Sequence, residues 1–166
     1  MRRFLALVLA IVMAPLAACA SAPAPSAASM LVESPWVRTT TGAKDKSMTA
    51  AFLTIVNPGT ADVRLTSAEC ADAGMVQIHE MVTVEGKMVM QEAKDGAVVP
   101  AGSHLHLVPG GYHIMLMNLT KEFAVGDQIA LTLHFSDGGS LPVTAPVKDF
   151  VEEEDHYHSP TPTPSS

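Results

Sequence analysis

Hydrophobic and polar residues alternate through the middle of the chain in short runs that are separated by Gly, Pro, Asn and Asp. The runs lie at 35–40, 49–57, 62–70, 75–85, 87–93, 104–108, 112–119, 128–135 and 140–147. Alternation is the period of a β-strand, and short runs punctuated by turn residues are typical of antiparallel sandwiches and barrels. The pattern predicts an all-β sandwich or barrel with little or no helix. Any helix is expected as one or two turns, near residues 71–73 or in a loop.

One of these runs carries unexpected side chains. In GGYHIMLMNL, at 110–119, the strand period places His113, Met115 and Met117 on one face. Six of the ten methionines fall between positions 75 and 117. Methionine often only fills irregular space in a core, and a buried histidine often only makes a hydrogen bond. A packed strand and a metal-binding strand are therefore both consistent with this run taken by itself.

A second segment repeats the two-residue spacing. His79 and Met81 share one face of the run at 75–85, and Met88 and Met90 share one face of the run that follows. The EGK sequence between the two runs is a hairpin signal, and a hairpin sets the two runs side by side. The sequence therefore predicts a hairpin that presents a histidine and thioethers together.

A soft metal site results if this hairpin meets the third run. Its histidine and one of its methionines would join His113 and Met115, giving two nitrogen and two sulfur ligands. Thioethers and imidazole suit Cu(I), whereas zinc prefers thiolate, imidazole or carboxylate, and calcium and magnesium prefer oxygen. A thioether needs no deprotonation and forms no disulfide, so such a site persists in an oxidising compartment. We therefore expect Cu(I) as the bound metal.

Other chemistries fit the sequence less well. A blue-copper electron carrier needs a cysteine thiolate with two histidines, but Cys70 precedes His79 by nine residues and is far from His113 in the sequence. Glu80 is next to His79 and so points to the opposite strand face. No nucleophile elbow or Ser/His/Asp pattern is found in the sequence. We therefore expect a binding protein and not an enzyme.

The N-terminal residues are typical of export. Residues 1–18 combine two arginines, an apolar run too short for an ordinary membrane span, and small residues. The sequence LAAC at 16–19 resembles a bacterial lipobox, which predicts lipidation of Cys19. Cleavage by the ordinary signal peptidase near residues 18–22 is the alternative. Residues 19–30 are rich in Pro, Ala and Ser and are typical of a tether, so we expect a cell-envelope protein held on a membrane by a lipid anchor.

The remaining chain divides into one domain and a tail. Residues 31–151 are sufficient for a single domain with its own core, and residues 152–166 run from acidic and histidine residues into Pro, Thr and Ser. His156 and His158, beside the acidic residues, either collect Cu(II) or occur in the tail by chance. The formal net charge of −7 argues against nucleic acid as a partner.

The motifs described above resemble one known family. MTAAFLTIVNPGTADVRLTSAECADAGMVQIHEM, VVPAG and PGGYHIMLMNL look like the PCuAC family of periplasmic copper(I) chaperones, over roughly residues 34–147. The resemblance implies a cupredoxin-like Greek-key β-barrel or sandwich. It also implies, residue by residue, a metal site of four ligands, namely His79, Met90, His113 and Met115.

The family spacing is followed with one departure. Ten residues separate His79 from Met90 as in the family, but twenty-two separate Met90 from His113, one more than usual, which suggests a loop insertion around KDGAVVPAG. Met88 is an alternative third ligand that breaks the first interval. Met81 and Met117 match positions beside the family's site and are expected as supporting or reserve ligands.

The resemblance also implies a role in cytochrome c oxidase assembly. A chaperone of this kind would pass Cu(I) to a Sco-type copper protein or to subunit II of the oxidase. The residues alone are equally consistent with an envelope copper buffer or scavenger that confers copper tolerance. A third class, a lipid-anchored adhesion module with methionine-rich strands, would bind no metal.

Overall fold

The computed structural model describes residues 30–149, and this part of the chain is all-β. It contains no helix, and thus none that could span a membrane, within the described residues. The strands are β1 Leu31–Arg38, β2 Met48–Asn57, β3 Val63–Cys70, β4 Ala73–Val84, β5 Lys87–Glu92, β6 Ala97–Val99, β7 Ser103–Leu107, β8 His113–Leu119, β9 Gln128–Phe135 and β10 Ser140–Lys148. The all-β prediction is confirmed.

Nine strands form one hydrogen-bonded path in the order β5-β4-β8-β2-β1-β10-β9-β3-β6, and β7 pairs with β2 beside it. β8 pairs with the first half of β2 and β7 with the second half. Among the described strands, β1 and β10 form the parallel pair and the other strand pairs are antiparallel. The order places the β4–β5 hairpin, β8 and β2 side by side, although β2 and β8 are distant from the hairpin in sequence.

The core is built from one face of these strands. Ile78 of β4, Ile114 and Leu116 of β8, and Ala51 of β2 are buried in one apolar cluster with side chains of β3, β9 and β10. Because successive side chains alternate across a strand, His79, His113 and Met115 point to the opposite face. That face is also shielded from solvent around His113 and Met115, which are 4% and 8% exposed.

The β4–β5 hairpin has the geometry that its sequence predicts. Glu85 and Gly86 both have positive φ, of 51° and 78°, which is the requirement of a type I′ turn. The register pairs Met81 with Met90 and Thr83 with Met88. The predicted hairpin is therefore present, and its methionines share a face with His79.

Two segments have local structure that the sequence pattern did not specify. Residues 71 and 72 form a turn, and the backbone of Ala73 already pairs with Leu119 in the β4–β8 ladder, so no helical turn forms near residues 71–73. The KDGAVVPAG segment is more than a loop, because it contains β6, which pairs with β3. Gly96 permits this approach: it has a φ of +72°, and a Cβ there would lie 2.0 Å from the carbonyl oxygen of Leu65.

Candidate metal centre

Two histidines from different strands face each other at the centre of the site. His79 of β4 and His113 of β8 are direct cross-strand partners, and their ring centroids are 5.8 Å apart. Directly opposed residues of an antiparallel pair project to the same face. The fold therefore brings together two imidazoles that are 34 positions apart in the chain.

Hydrogen bonds fix one nitrogen of each ring. The Nδ1–H of His113 donates to the carbonyl oxygen of Gly111 at 3.0 Å, and the Nε2–H of His79 donates to Oε1 of Gln77 at 3.0 Å. A carbonyl oxygen only accepts, so the other nitrogen of each neutral ring carries a lone pair. Such outer hydrogen bonds orient the histidine ligands of metal sites.

The two remaining nitrogens have no partner. Nδ1 of His79 and Nε2 of His113 are buried, and neither makes a hydrogen bond within residues 30–149. A buried polar atom without a partner costs free energy, and most such atoms in folded proteins are satisfied. A metal ion that accepts both lone pairs would satisfy both atoms. This is the strongest sign in the structure of a metal-binding site.

The protonation state of His79 also favours metal binding. Burial lowers the pKa of His79, the neighbouring His113 lowers it further, and Glu92 partly opposes the shift. The ring is thus held in its neutral form, which is the form that binds metal. Protons therefore compete with a metal ion for His79 only at a lower pH than they would for an ordinary histidine.

Thioethers line a cavity together with His113, one of the two facing histidines, and His79 is not among the described residues that line it. The cavity, of about 500 Å³, is lined by His113 together with Met48, Met81, Met90 and Met115. Met81 and Met90 are cross-strand partners, two residue pairs along the ladder from His79 and Glu92 and on the same face. Met90 is 50% exposed, so it can move towards a bound ion without disturbing the core. The structure brings all four residues implied by the family resemblance to one strand face.

The alternative and reserve residues lie at different distances from this centre. Met88 pairs with Thr83, two residue pairs beyond Met90 towards the hairpin turn, and Met117 pairs with Met75. Neither Met88 nor Met117 lines the cavity formed by the described residues. Met81 lines the cavity as Met90 does, and it is one of the two residues expected as supporting or reserve ligands.

Two further residues of this face were missed by the sequence analysis. Met48 lines the cavity, and the ring centroid of Phe52 is 6.3 Å from that of His113. Both belong to β2, on the face opposite the buried Ala51 and Leu53. Their alternation was visible in the sequence, but no local signal indicated that β2 lies beside β8.

The donor set is a soft one. Within residues 30–149, no group of three or more His, Cys, Asp and Glu side chains is arranged to hold a metal ion. The sulfur donors that line the cavity beside His113 are all thioethers. Two imidazoles with thioethers fit Cu(I), whereas zinc, calcium and magnesium would lack the ligands they prefer.

Cys70 stands apart from this cavity. It is a free, buried cysteine at the end of β3, and burial raises the pKa of its thiol. A protonated, buried thiol is a poor metal ligand. Among the described residues, Cys70 is also not one that lines the methionine cavity.

We therefore expect Cys70→Ser to leave Cu(I) stoichiometry and affinity unchanged. The substitution buries a hydroxyl in an apolar setting, so it should lower the free energy of unfolding by about 1–3 kcal/mol. An anaerobic Cu(I) competition titration and a denaturant melt of the variant measure the two effects. Loss of the metal from a variant that remains folded would contradict the ligand set described here.

The remaining predicted features, Cys19, the tether and the histidines at 156 and 158, lie outside the described residues. The structure therefore does not test lipidation or a Cu(II) site in the tail.

Comparison with known proteins identifies the family. The family model described as "Putative lipoprotein LpqE-like" matches residues 30–147. A protein of Leifsonia xyli subsp. xyli that is described as a putative lipoprotein is 44% identical over 142 residues, covering 86% of this chain and 83% of that protein. The chain belongs to the LpqE-like lipoprotein family.

Solved structures confirm the relationship to PCuAC domains. The copper-bound PCuAC domain from PmoF2 matches with a TM-score of 0.59 and 25% identity, covering 73% of this chain and 93% of that domain. The solution structure of apo-DR1885 from Deinococcus radiodurans matches with a TM-score of 0.57 and 26% identity, covering 91% of this chain and 97% of that chain. Its Cu(I) form matches with a TM-score of 0.55. The fold is that of a PCuAC domain, as the sequence motifs predicted.

Proposed function

We propose that this protein is a Cu(I)-binding metallochaperone of the cell envelope. The observation that carries the proposal is the facing pair His79 and His113, whose buried, unpartnered nitrogens lie beside thioethers. His79, Met90, His113 and Met115 are the proposed ligands, with Met81 able to replace or support Met90. Two structural relatives were solved with copper, one of them as the Cu(I) form, which supports the same metal.

The site is suited to transfer as well as to binding. Met81 and Met90 come from a hairpin whose second strand is exposed along its whole length. Thioethers are neutral ligands and can be exchanged one at a time without proton transfer. A recipient could therefore approach from the side of β5 and replace the methionines while the histidines still hold the ion. This arrangement supports a chaperone that hands its metal to another protein.

We further propose an envelope location with a lipid anchor at Cys19. The lipobox-like sequence at 16–19 supports it, as does the description of the family and of the Leifsonia relative as lipoproteins. Binding and transfer of an ion, without chemical conversion of a substrate, is the proposed activity, so the protein is not proposed to be an enzyme.

The proposed recipient is a Sco-type copper protein or subunit II of cytochrome c oxidase. A strain lacking this protein should lose oxidase activity when copper is limiting and recover it when copper is added. The full-length gene should restore activity at limiting copper, and a His79→Ala/His113→Ala version should not. A strain that respires normally at limiting copper and fails only at excess copper would instead indicate an envelope copper buffer.

A further inference from the structure

Three methionines form a continuous row on the same sheet face as the histidine pair. Met117 of β8 pairs directly with Met75 of β4 on one side and with Met48 of β2 on the other. Cβ atoms of direct partners lie about 4.5–5.5 Å apart and project to the same face. The strand order thus sets three thioethers side by side, although they come from three separate parts of the sequence.

The row is accessible to solvent. Met48 is 42% and Met75 is 47% exposed, and Met117 between them is half-buried. Single exposed apolar residues are common and need no explanation. Three adjacent ones with the same soft donor atom are different, because each side chain has three rotatable bonds and its sulfur can turn towards a common point.

The surroundings of the row select the kind of ligand. The adjacent row on this face consists of Ala50, Met115 and Gln77, none of which is charged. The charged side chains of Lys46 and Lys121 are paired with Glu122 and Asp72, and the other charged residues beside Met48 lie on the cavity side of the row, namely Arg38, Lys44 and Asp45. A site with three neutral sulfur donors and no carboxylate, imidazole or thiolate within the row favours a soft monovalent cation over Zn²⁺, Ca²⁺ or Mg²⁺.

We propose that Met48, Met75 and Met117 form a second Cu(I) site, distinct from the histidine-containing centre. Met117 and His113 are four residues apart on one strand, so the two sites are about 13 Å apart. Met115 lies between them on the same face, and Met48 borders both. The second site is therefore placed to receive Cu(I) and to pass it along a line of thioethers. It does not depend on the identity of any recipient protein.

The test uses Ag(I) as a soft, redox-inert substitute for Cu(I). The full chain is labelled at its ten methionine methyl groups with ¹³C, and the methyl resonances are followed by NMR as Ag(I) is added. Single Met→Leu variants assign the resonances. The first equivalent should shift the methyls of Met81, Met90 and Met115, and also that of Met48, which lines the same cavity. The second should shift those of Met75 and Met117, and that of Met48 again, with one common binding curve.

Met75→Leu tests whether the row acts as one site. Removal of one of three donors should weaken the second event at least about tenfold, and the methyls of Met48 and Met117 should lose their shared response. Met88→Leu, which removes an exposed methionine near the hairpin turn, is the matched control and should leave both events unchanged.

Either of two results would overturn the second site. The methyls of Met75 and Met117 could remain unshifted at two equivalents, or Met75→Leu could leave the response of Met48 and Met117 to the second equivalent intact. Failure of the histidine centre gives a different result, since the methyls of Met81, Met90 and Met115 would then not respond to the first equivalent.

Discussion

His113→Ala is expected to lower the Cu(I) affinity of the protein by at least about 100-fold, equivalent to about 2.8 kcal/mol. The substitution removes the buried Nε2 that has no other partner and leaves His79 as the remaining imidazole. Loss of an outer hydrogen bond alone commonly costs 10- to 100-fold in metal affinity, so loss of the ligand itself should cost at least as much. An anaerobic competition titration against a Cu(I) chelator of known affinity measures the change.

The fold should survive this change. His113 makes one side-chain hydrogen bond, to the carbonyl oxygen of Gly111, and its ring lines a cavity on the face opposite the apolar core. Loss of that bond should lower the free energy of unfolding by about 1 kcal/mol. His104→Ala is the matched control, because His104 is an exposed histidine on β7 and does not line the cavity of the described residues. Parent affinity in the folded His113→Ala protein would show that this histidine is only a packed strand residue.

The double variant Met81→Leu/Met90→Leu should lose about as much affinity as His113→Ala. The two residues are cross-strand partners beside the histidine pair, so each can supply the sulfur that the other lacks. We therefore expect each single variant to lose less than about tenfold and the double variant about 100-fold, more than the two single losses combined. Leucine keeps the volume and apolar character of methionine, and each exchange should cost less than about 1.5 kcal/mol of stability.

A third methionine of the same hairpin, Met88, provides the control variant for this prediction. Met88→Leu changes a methionine of the same strand, two residue pairs farther from His79 than Met90, and should leave affinity unchanged. If Met88→Leu weakens binding as strongly as Met90→Leu does, the hairpin register does not define the ligand set. The comparison also decides between the two candidates for the third ligand that the sequence leaves open.

Local signals were sufficient to predict most strands and the hairpin. Alternation identified β8, with Ile114 and Leu116 on the core face, and the EGK sequence identified the turn at Glu85 and Gly86. Short-range patterns failed where the structure depends on distant pairing. β6 has only three residues and exists because it pairs with β3, and the expected helical turn at 71–73 is excluded by the pairing of Ala73 with Leu119.

The metal centre, like the fold, was only partly predictable from the sequence. The residue types in the sequence indicate a soft metal, and the family motif specifies positions for the ligands. The facing of His79 and His113, however, depends on β4 and β8 being neighbours, and the placement of Met48 depends on β2 lying beside β8. The hydrogen bonds that expose one lone pair on each imidazole come from Gln77 and from the backbone of Gly111, and no sequence pattern indicates them.

Copper K-edge X-ray absorption of the full-length protein, loaded anaerobically with less than one equivalent of Cu(I), tests the proposed centre most directly. The proposed ligands predict a first shell that contains both nitrogen and sulfur, together with the outer-shell scattering of two imidazole rings. The Cys70→Ser variant should give the same spectrum. A shell of sulfur alone, or of nitrogen and oxygen without sulfur, would contradict a centre built from His79, His113 and the methionines around them.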